Sequence, residues 1–273
     1  MTKVFDIKGI KQQEVKLPSV FAIPTKLNLI HKAYIASTSN SYQPNGTDPI
    51  AGERTSAESR GTGSGSARIA RVKGERHMTA GKGGGIASVV GGRISHPPKS
   101  EKNIRYRINK KERIFATASA ISTTSKKELI IKRGHKVNKI EDFPIIITSQ
   151  IEKIKKAKNF RDLLEKIGLE EELTRIKNGT KKRSGKSALR NRKKRVPKGP
   201  LVIIEKDDGI KKAVSSFDGM DCVSVKDLSI IDLAPGSVPG RLTIWSESAL
   251  KSIQQNIIDL GNKYDRKWSI KNN

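Results

Sequence analysis

Nine cations are strung through a stretch of the chain that has little else to anchor it. Between Asn45 and Lys99 they are Arg54, Arg60, Arg68, Arg71, Lys73, Arg76, Lys82, Arg93 and Lys99, set among glycine, serine and alanine. Charge at such spacing neutralises the phosphates of a polyanion. His77 and His96, in the same stretch, have the chemistry to stack on a base or meet a phosphate. Gly61, Gly63, Gly65, Gly83, Gly84, Gly85, Gly91 and Gly92 let the backbone turn and approach another surface closely. The stretch has neither a helical period nor clean strand alternation. A loop this long inside a compact domain is either functional or without structure of its own. It reads as an arm that becomes ordered when buried in folded RNA; the bland alternative is a solvated loop.

A second basic run holds Lys181, Lys182, Arg183, Lys186, Arg190, Arg192, Lys193, Lys194 and Arg195, with no acid among them. Alone it would read as a localisation signal or a solvated loop. Beside a basic arm it reads as a second RNA contact. Catalytic chemistry is harder to find. Gly185-Lys186-Ser187 resembles the end of a phosphate-binding loop, but Gly179 lies one residue too far upstream and no strand is expected before it. Gly61-Thr62-Gly63 and Gly83-Gly84-Gly85 miss the dinucleotide fingerprint and read as flexibility. His31, His77, His96 and His135 make no metal-ligand spacing with one another or with Cys222, so no metal or cofactor is expected. His31 reads as a surface or rim residue of a helix, and His135 as a turn residue. Cys222, the single cysteine, reads as a small buried side chain. Asn45-Gly46-Thr47 and Asn178-Gly179-Thr180 match the glycosylation pattern but carry no meaning without a secretory signal.

The totals agree with a polyanion partner. The 273 residues include 55 Lys and Arg against 27 Asp and Glu, a formal charge of +28. A free chain so charged repels itself; nucleic acid is the usual neutraliser and a membrane surface the rival. No apolar run is long enough to span a bilayer, and the N-terminus lacks the apolar centre of a signal peptide. With one cysteine no intrachain disulfide forms, which suits a reducing cytosol. Hydrophobic residues make up 34 % and aromatics 4 %, so the core should be aliphatic and modest.

Around the basic stretches the pattern is regular. Residues 3–17 predict two short strands about Lys8-Gly9. Thr25 is placed to cap a helix with Leu27, Ile30, Ala33 and Tyr34, fading at Ser37–Asn40. His96-Pro97-Pro98 imposes an extended exit from the arm. Asn109 to Glu112 looks like a capping box before a helix with Ile114, Phe115, Ala118 and Ile121. Apolar runs at Pro144–Thr148, Leu201–Ile204, Asp221–Val225 and Leu242–Trp245 predict strands. Between and after them come helices carrying Phe160, Leu163, Leu164 and Ile167, then Leu169, Leu173 and Ile176, then Ile210, Ala213, Val214 and Phe217, then Leu250, Ile253, Ile257 and Leu260. Ser246 is placed to cap the last. Alternating strands and helices predict an α/β fold, a parallel or mixed sheet with helices on both faces, plus a long extended basic loop. The domain plan is one α/β domain from 1–44 and 100–261, an arm at 45–99 inserted in it, a basic loop at 181–199 and a polar tail at 262–273.

Several blocks resemble a known family. They are Gln43-Pro44-Asn45-Gly46-Thr47-Asp48-Pro49-Ile50-Ala51-Gly52-Glu53-Arg54-Thr55-Ser56-Ala57-Glu58-Ser59, Gly91 to Pro98, Ile108 to Arg113, Arg133-Gly134-His135, Leu233 to Gly236 and Gly240 to Trp245. Together they are similar to the universal fourth protein of the large ribosomal subunit, in its archaeal and eukaryotic form. The lack of a long C-terminal extension resembles the archaeal branch. The resemblance implies a structural protein of the ribosome in the cytoplasm, without catalysis, membrane or small-molecule substrate. Its partners would be large-subunit ribosomal RNA, neighbouring ribosomal proteins and the nascent polypeptide. It implies an arm whose tip lines the exit tunnel, here Ser59, Arg60, Gly61, Thr62, Gly63, Ser64, Gly65 and Arg68, within Ser59–Arg71. Arg60 stands where the family commonly has tryptophan, and Ala70 where proline is common. The other readings are a free RNA-binding regulator of translation and a nucleic-acid-modifying enzyme. The latter needs convergent acids or histidines at strand ends, and none is visible.

Overall fold

The computed structural model describes residues 2–253. In chain order, β1 (Thr2–Phe5) and β2 (Lys11–Val15) form an antiparallel hairpin, followed by α1 (Leu27–Ser39). β3 (Ala57–Ser59) and β4 (Ala70–Val72) lie in the basic arm. Then come α2 (Lys110–Thr123), α3 (Lys127–Lys132), β5 (Ile145–Ile147), α4 (Ala157–Ile167) and α5 (Glu170–Gly179). The second basic run supplies β6 (Lys181–Lys182), α6 (Gly185–Leu189) and β7 (Lys194–Arg195). β8 (Leu201–Ile204), α7 (Ile210–Val214), β9 (Asp221–Ser224), α8 (Ile230–Leu233) and β10 (Thr243–Ser246) follow. A helix opens at Glu247, and Ser246 caps it by accepting a hydrogen bond from the Ala249 N–H at 3.2 Å. Ile257, Leu260 and the tail at 262–273 lie outside the described residues.

One six-stranded sheet runs in the order β2-β1-β5-β10-β8-β9. β1, β5, β10, β8 and β9 are parallel neighbours, and only the β1–β2 pair is antiparallel. Strand alternation sends side chains to two cores. Ile146, Leu201, Ile203 and Trp245 face one, with Ile30, Ala33, Ala118 and Ile121 of α1 and α2. Ile145, Ile147, Val202, Ile204 and Ile244 face the other, with Phe160, Leu163 and Leu164 of α4 and Val214 of α7. The sheet is thus mixed and covered on both faces. Each of Ile145 to Ile147 is wholly buried, a contribution of about 1.5–3 kcal/mol per side chain. A charge in that strand would break both layers.

Local details refine the sequence reading. Thr25, just before α1, accepts a hydrogen bond from Lys126 Nζ at 2.8 Å. Leu27 is more than half exposed, so the buried stripe is Ile30, Ala33, Ala36 and Ser39. Glu112 reaches back to the Asn109 backbone, but the Asn109 side chain makes no cap bond, leaving half a capping box. Gly168 closes α4 with φ +95°.

The described chain forms two compact units. One comprises the residues through Ser39 and from Tyr106 onward; the other is Asn40–Arg105. The first unit closes on itself where the second is inserted: the Tyr106 N–H donates to Ser39 Oγ at 2.9 Å.

Candidate nucleic-acid interface

The arm is not wholly irregular. β3 and β4 pair antiparallel, Ala57 opposite Val72 and Ser59 opposite Ala70. Residues 81–84 add a partial third strand. The Val72 N–H donates to Lys82 O at 2.8 Å, the Gly81 N–H to Val72 O at 3.1 Å and the Gly84 N–H to Ala70 O at 2.9 Å. Val72 is buried, and the glycines let the strands close over it. A Cβ on Gly84 would lie 3.0 Å from Val72 Cγ2, and one on Gly83 would lie 2.5 Å from Val89 Cγ1. Gly92 is tighter still, since its Cβ would meet Ile86 O at 1.8 Å. At the base of the arm the Thr47 N–H donates to Pro98 O at 3.1 Å. Strand segments of three residues with one buried side chain leave no alternation for sequence to show.

Within this frame the cations fall into two groups. Arg54 pairs with Asp48, Lys73 with Glu58, and Arg93 with Glu53 at 3.4 Å. Arg71 is half-buried, and its Nη1 donates to Gly81 O at 2.9 Å, so it fastens the arm. His77 is held as well: its Nε2 bonds Lys73 O at 3.2 Å and its Nδ1 bonds Thr79 Oγ1 at 2.8 Å. Arg60, Arg68, Arg76, Lys82, His96 and Lys99 are exposed and make no ion pair among the described residues. At the tip, Ser59 to Gly65 and Arg68 are exposed, and Gly61, Gly63 and Gly65 take positive φ with open space around them.

The second basic run, expected as a loop, is a ribbon ending in a helical turn. Lys181 lies opposite Arg195 and Lys182 opposite Lys194, and the Arg183 N–H donates to Lys193 O at 2.8 Å. α6 caps the ribbon, and the Arg192 N–H closes it onto Ser187 O at 2.9 Å. All nine cations, Lys181 to Arg195, are exposed, and Lys194 alone has an acid near, Asp218 at 3.8 Å. Two-residue strands with no buried face carry no hydrophobic signal.

The foot of this ribbon is wired into the core through His135, which is buried and not a simple turn residue. Its Nε2 accepts from the Leu242 N–H at 3.3 Å, so the ring proton sits on Nδ1 and is donated to Glu172 Oε1 at 2.7 Å. Arg175 forks onto Glu172 at 2.8 and 2.7 Å and donates to Lys198 O at 2.9 Å, just past β7. Burial opposes ionisation of Glu172, yet hydrogen bonds from Arg175 and His135 hold its carboxyl below the usual range. Burial lowers the His135 pKa despite Glu172 beside it. The ring is therefore neutral and the carboxylate charged. The two partners lie 37 positions apart, a pairing that no local pattern reveals.

Sequence reasoning also passed over two tyrosines. Tyr42 is 60 % exposed and Tyr106 is 68 % exposed, and an exposed aromatic ring has the chemistry to stack on a base. Their signal was an aromatic in a polar segment of an aromatic-poor chain. His31 is exposed, as expected, and bonds Ser237 Oγ at 2.5 Å. Cys222, half-buried on β9, has its thiol pushed up to about 12 by burial and by Asp207, so it stays neutral. Among the described residues no cluster of three metal-ligating side chains occurs, and no helix is long and apolar enough to cross a membrane.

Comparison with known proteins gives one answer. Residues 15–256 match the model of the ribosomal protein L4/L1 family. The large ribosomal subunit protein uL4 of Methanopyrus kandleri is 38 % identical over 254 residues, covering 93 % of this chain and 98 % of its own length. That of Methanocaldococcus jannaschii is 41 % identical over 252 residues, 92 % and 97 % of the two chains. That of Sulfurisphaera tokodaii is 40 % identical over 255 residues, 93 % and 94 %.

Proposed function

The chain belongs to the ribosomal protein L4/L1 family, in its archaeal form, and from that premise we propose that it is a structural, non-catalytic protein of the large ribosomal subunit. It binds large-subunit ribosomal RNA through the arm at 45–99 and the ribbon within 181–199, and it works in the cytoplasm beside neighbouring ribosomal proteins. The observation that carries the RNA reading is the exposed charge of the ribbon, unpaired among the described residues except at Lys194, together with Arg60, Arg68, Arg76 and Lys82 of the arm. Those cations neutralise phosphates, and affinity gained this way depends steeply on salt. Arm residues already paired with acids hold its shape. RNA shape then supplies specificity. The arm tip, Ser59 to Arg68, lines the path of the nascent polypeptide. Support for that finer role is the family resemblance of the flanking block and the exposure of the tip.

The test is sedimentation of a native extract at moderate and high salt, following this protein and a variant lacking residues 55–92. The full chain should travel with the large subunit and resist high salt, and the variant should fail to enter stable particles. A full chain that stays at the top of the gradient overturns the ribosomal reading. Normal incorporation of the variant overturns the role of the arm.

A further inference from the structure

A groove of about 670 Å³ opens beside the ribbon's foot, among α5, β7 and the turn after α7. Its floor is apolar, formed by Leu173, Ile176 and Phe217. Phe217 stands edge-on against the fully buried Phe160, centroids 5.6 Å apart, so its ring is fixed by the core. The rim is charged. Lys177 and Lys194 supply cations, and the Asp218 carboxylate lies 3.8 Å from Lys194. Thr180, at the groove, is the last residue before the ribbon strand β6. Lys194 belongs both to the ribbon strand β7 and to the groove, so a polyanion bound along the ribbon strands reaches the opening there.

We infer that the groove is a subsite for one unstacked RNA nucleotide, its base against Phe217 and its phosphate on Lys177 and Lys194. The inference rests on the ribbon being an RNA contact, and it adds a base-reading position to a surface that otherwise reads only phosphates. Three features argue for a nucleotide rather than a peptide. The volume falls in the range of about 300–1,000 Å³ usual for small-ligand sites. An aromatic ring flanked by cations is the arrangement that stacks a base while holding its phosphate. The charge is continuous with the ribbon. Asp218 adds selectivity, because a carboxylate only accepts hydrogen bonds. Guanine offers it two adjacent donors, N1–H and the N2 amino group, whereas uracil offers the single N3–H between two carbonyl acceptors.

The test is a titration of the full chain, followed by amide resonances, with 5′-GMP, 5′-UMP and inorganic phosphate. Affinity for large-subunit ribosomal RNA is measured in parallel. Shifts from 5′-GMP should cluster at Leu173, Lys177, Phe217 and Asp218, and should exceed those from 5′-UMP or phosphate. Phe217→Leu should weaken ribosomal RNA binding about tenfold, within the range for loss of one stacked base. Asp218→Asn, an exposed change that spares the fold, should remove the preference of 5′-GMP over 5′-UMP. Equal shifts from phosphate and 5′-GMP overturn the inference. So does unchanged ribosomal RNA affinity in Phe217→Leu, or a groove that cross-links in subunits to a neighbouring protein and not to RNA. In each of those cases RNA binding by the unaltered chain leaves the ribosomal reading standing; loss of all RNA binding removes both.

Discussion

The arm and the ribbon carry the same number of Lys and Arg and use them differently. The arm spreads nine over residues 45–99 with four acids among them, and three of its cations are paired to those acids. The ribbon packs nine into residues 181–195 with no acid inside. The arm has a buried valine and glycine-tight turns; the ribbon has no buried residue in its strands or in α6. Three cations of the arm are paired with its own acids, whereas in the ribbon only Lys194 has an acid near it among the described residues. Equal basicity in a sequence therefore does not mean equal pairing within the fold.

That contrast is open to direct attack. The largest effect should come from charge removal in matched sets. Replacing Lys182, Arg183, Arg190 and Arg192 with glutamine should flatten the salt dependence of ribosomal RNA binding by a slope of about 3, at 0.7–0.9 per phosphate contact. Affinity at 0.1 M salt should fall by about three orders of magnitude. The same change at Arg54, Arg71, Lys73 and Arg93 should move the slope by about 1 or less, since these are engaged inside the arm. Equal slopes, from filter binding at several salt concentrations, would break the comparison.

Next is the ribbon's mount. Glu172→Gln strips the charge that Arg175 and His135 share, and should destabilise the chain by roughly 3–5 kcal/mol in denaturant unfolding, as for a broken buried pair. An unchanged midpoint would mean that the network holds nothing. In the arm, Gly92→Ala drives a methyl onto Ile86 O and should loosen the turn by about 1–3 kcal/mol, read as faster amide exchange at Val72 and Gly84. Gly63→Ala, with free space but φ +90°, should stay near the bottom of that range and leave Val72 protected.

The smallest effect is acid sensitivity at the ribbon's foot. His135 and Glu172 both titrate below their ordinary values, so each binds fewer protons in the folded chain than in the unfolded one. Stability from His135 is complete above its ordinary 6.5 and is lost as pH falls toward the lowered folded value. Glu172 adds a second loss that begins near 4.5. The thermal midpoint should fall in two steps below pH 6.5, and His135→Asn should erase the first while the second, still held by Arg175, persists in reduced form. A single step shared by both proteins would detach His135 from the mount.

The sheet was readable because each core strand is a short apolar run, such as Ile145–Ile147, bounded by polar or turn residues. The helices of both layers were readable from periodic stripes like Phe160, Leu163, Leu164 and Ile167. What stayed hidden depended on distance or on size. His135 looked like a turn residue since Glu172 and Leu242 reach it through tertiary contacts. The β3–β4 pair has three residues a side, too few for alternation to emerge. The partners of Arg71 and Lys73 within the arm were hidden, because composition counts charges without their contacts. The groove at Phe217 was unreadable, as it is assembled from α5, β7 and the turn before β9.

The Ser39–Tyr106 hydrogen bond has a consequence for how such a chain changes over time. The inserted unit leaves and re-enters at a point that the sheet unit closes by itself, so its contour length is decoupled from the fold. Closing a longer insertion adds only about 0.6 kcal/mol for each doubling of its residues. Lengthening or trimming between those two residues is thus nearly free for the sheet, and the reach of the arm is set by whatever surrounds it.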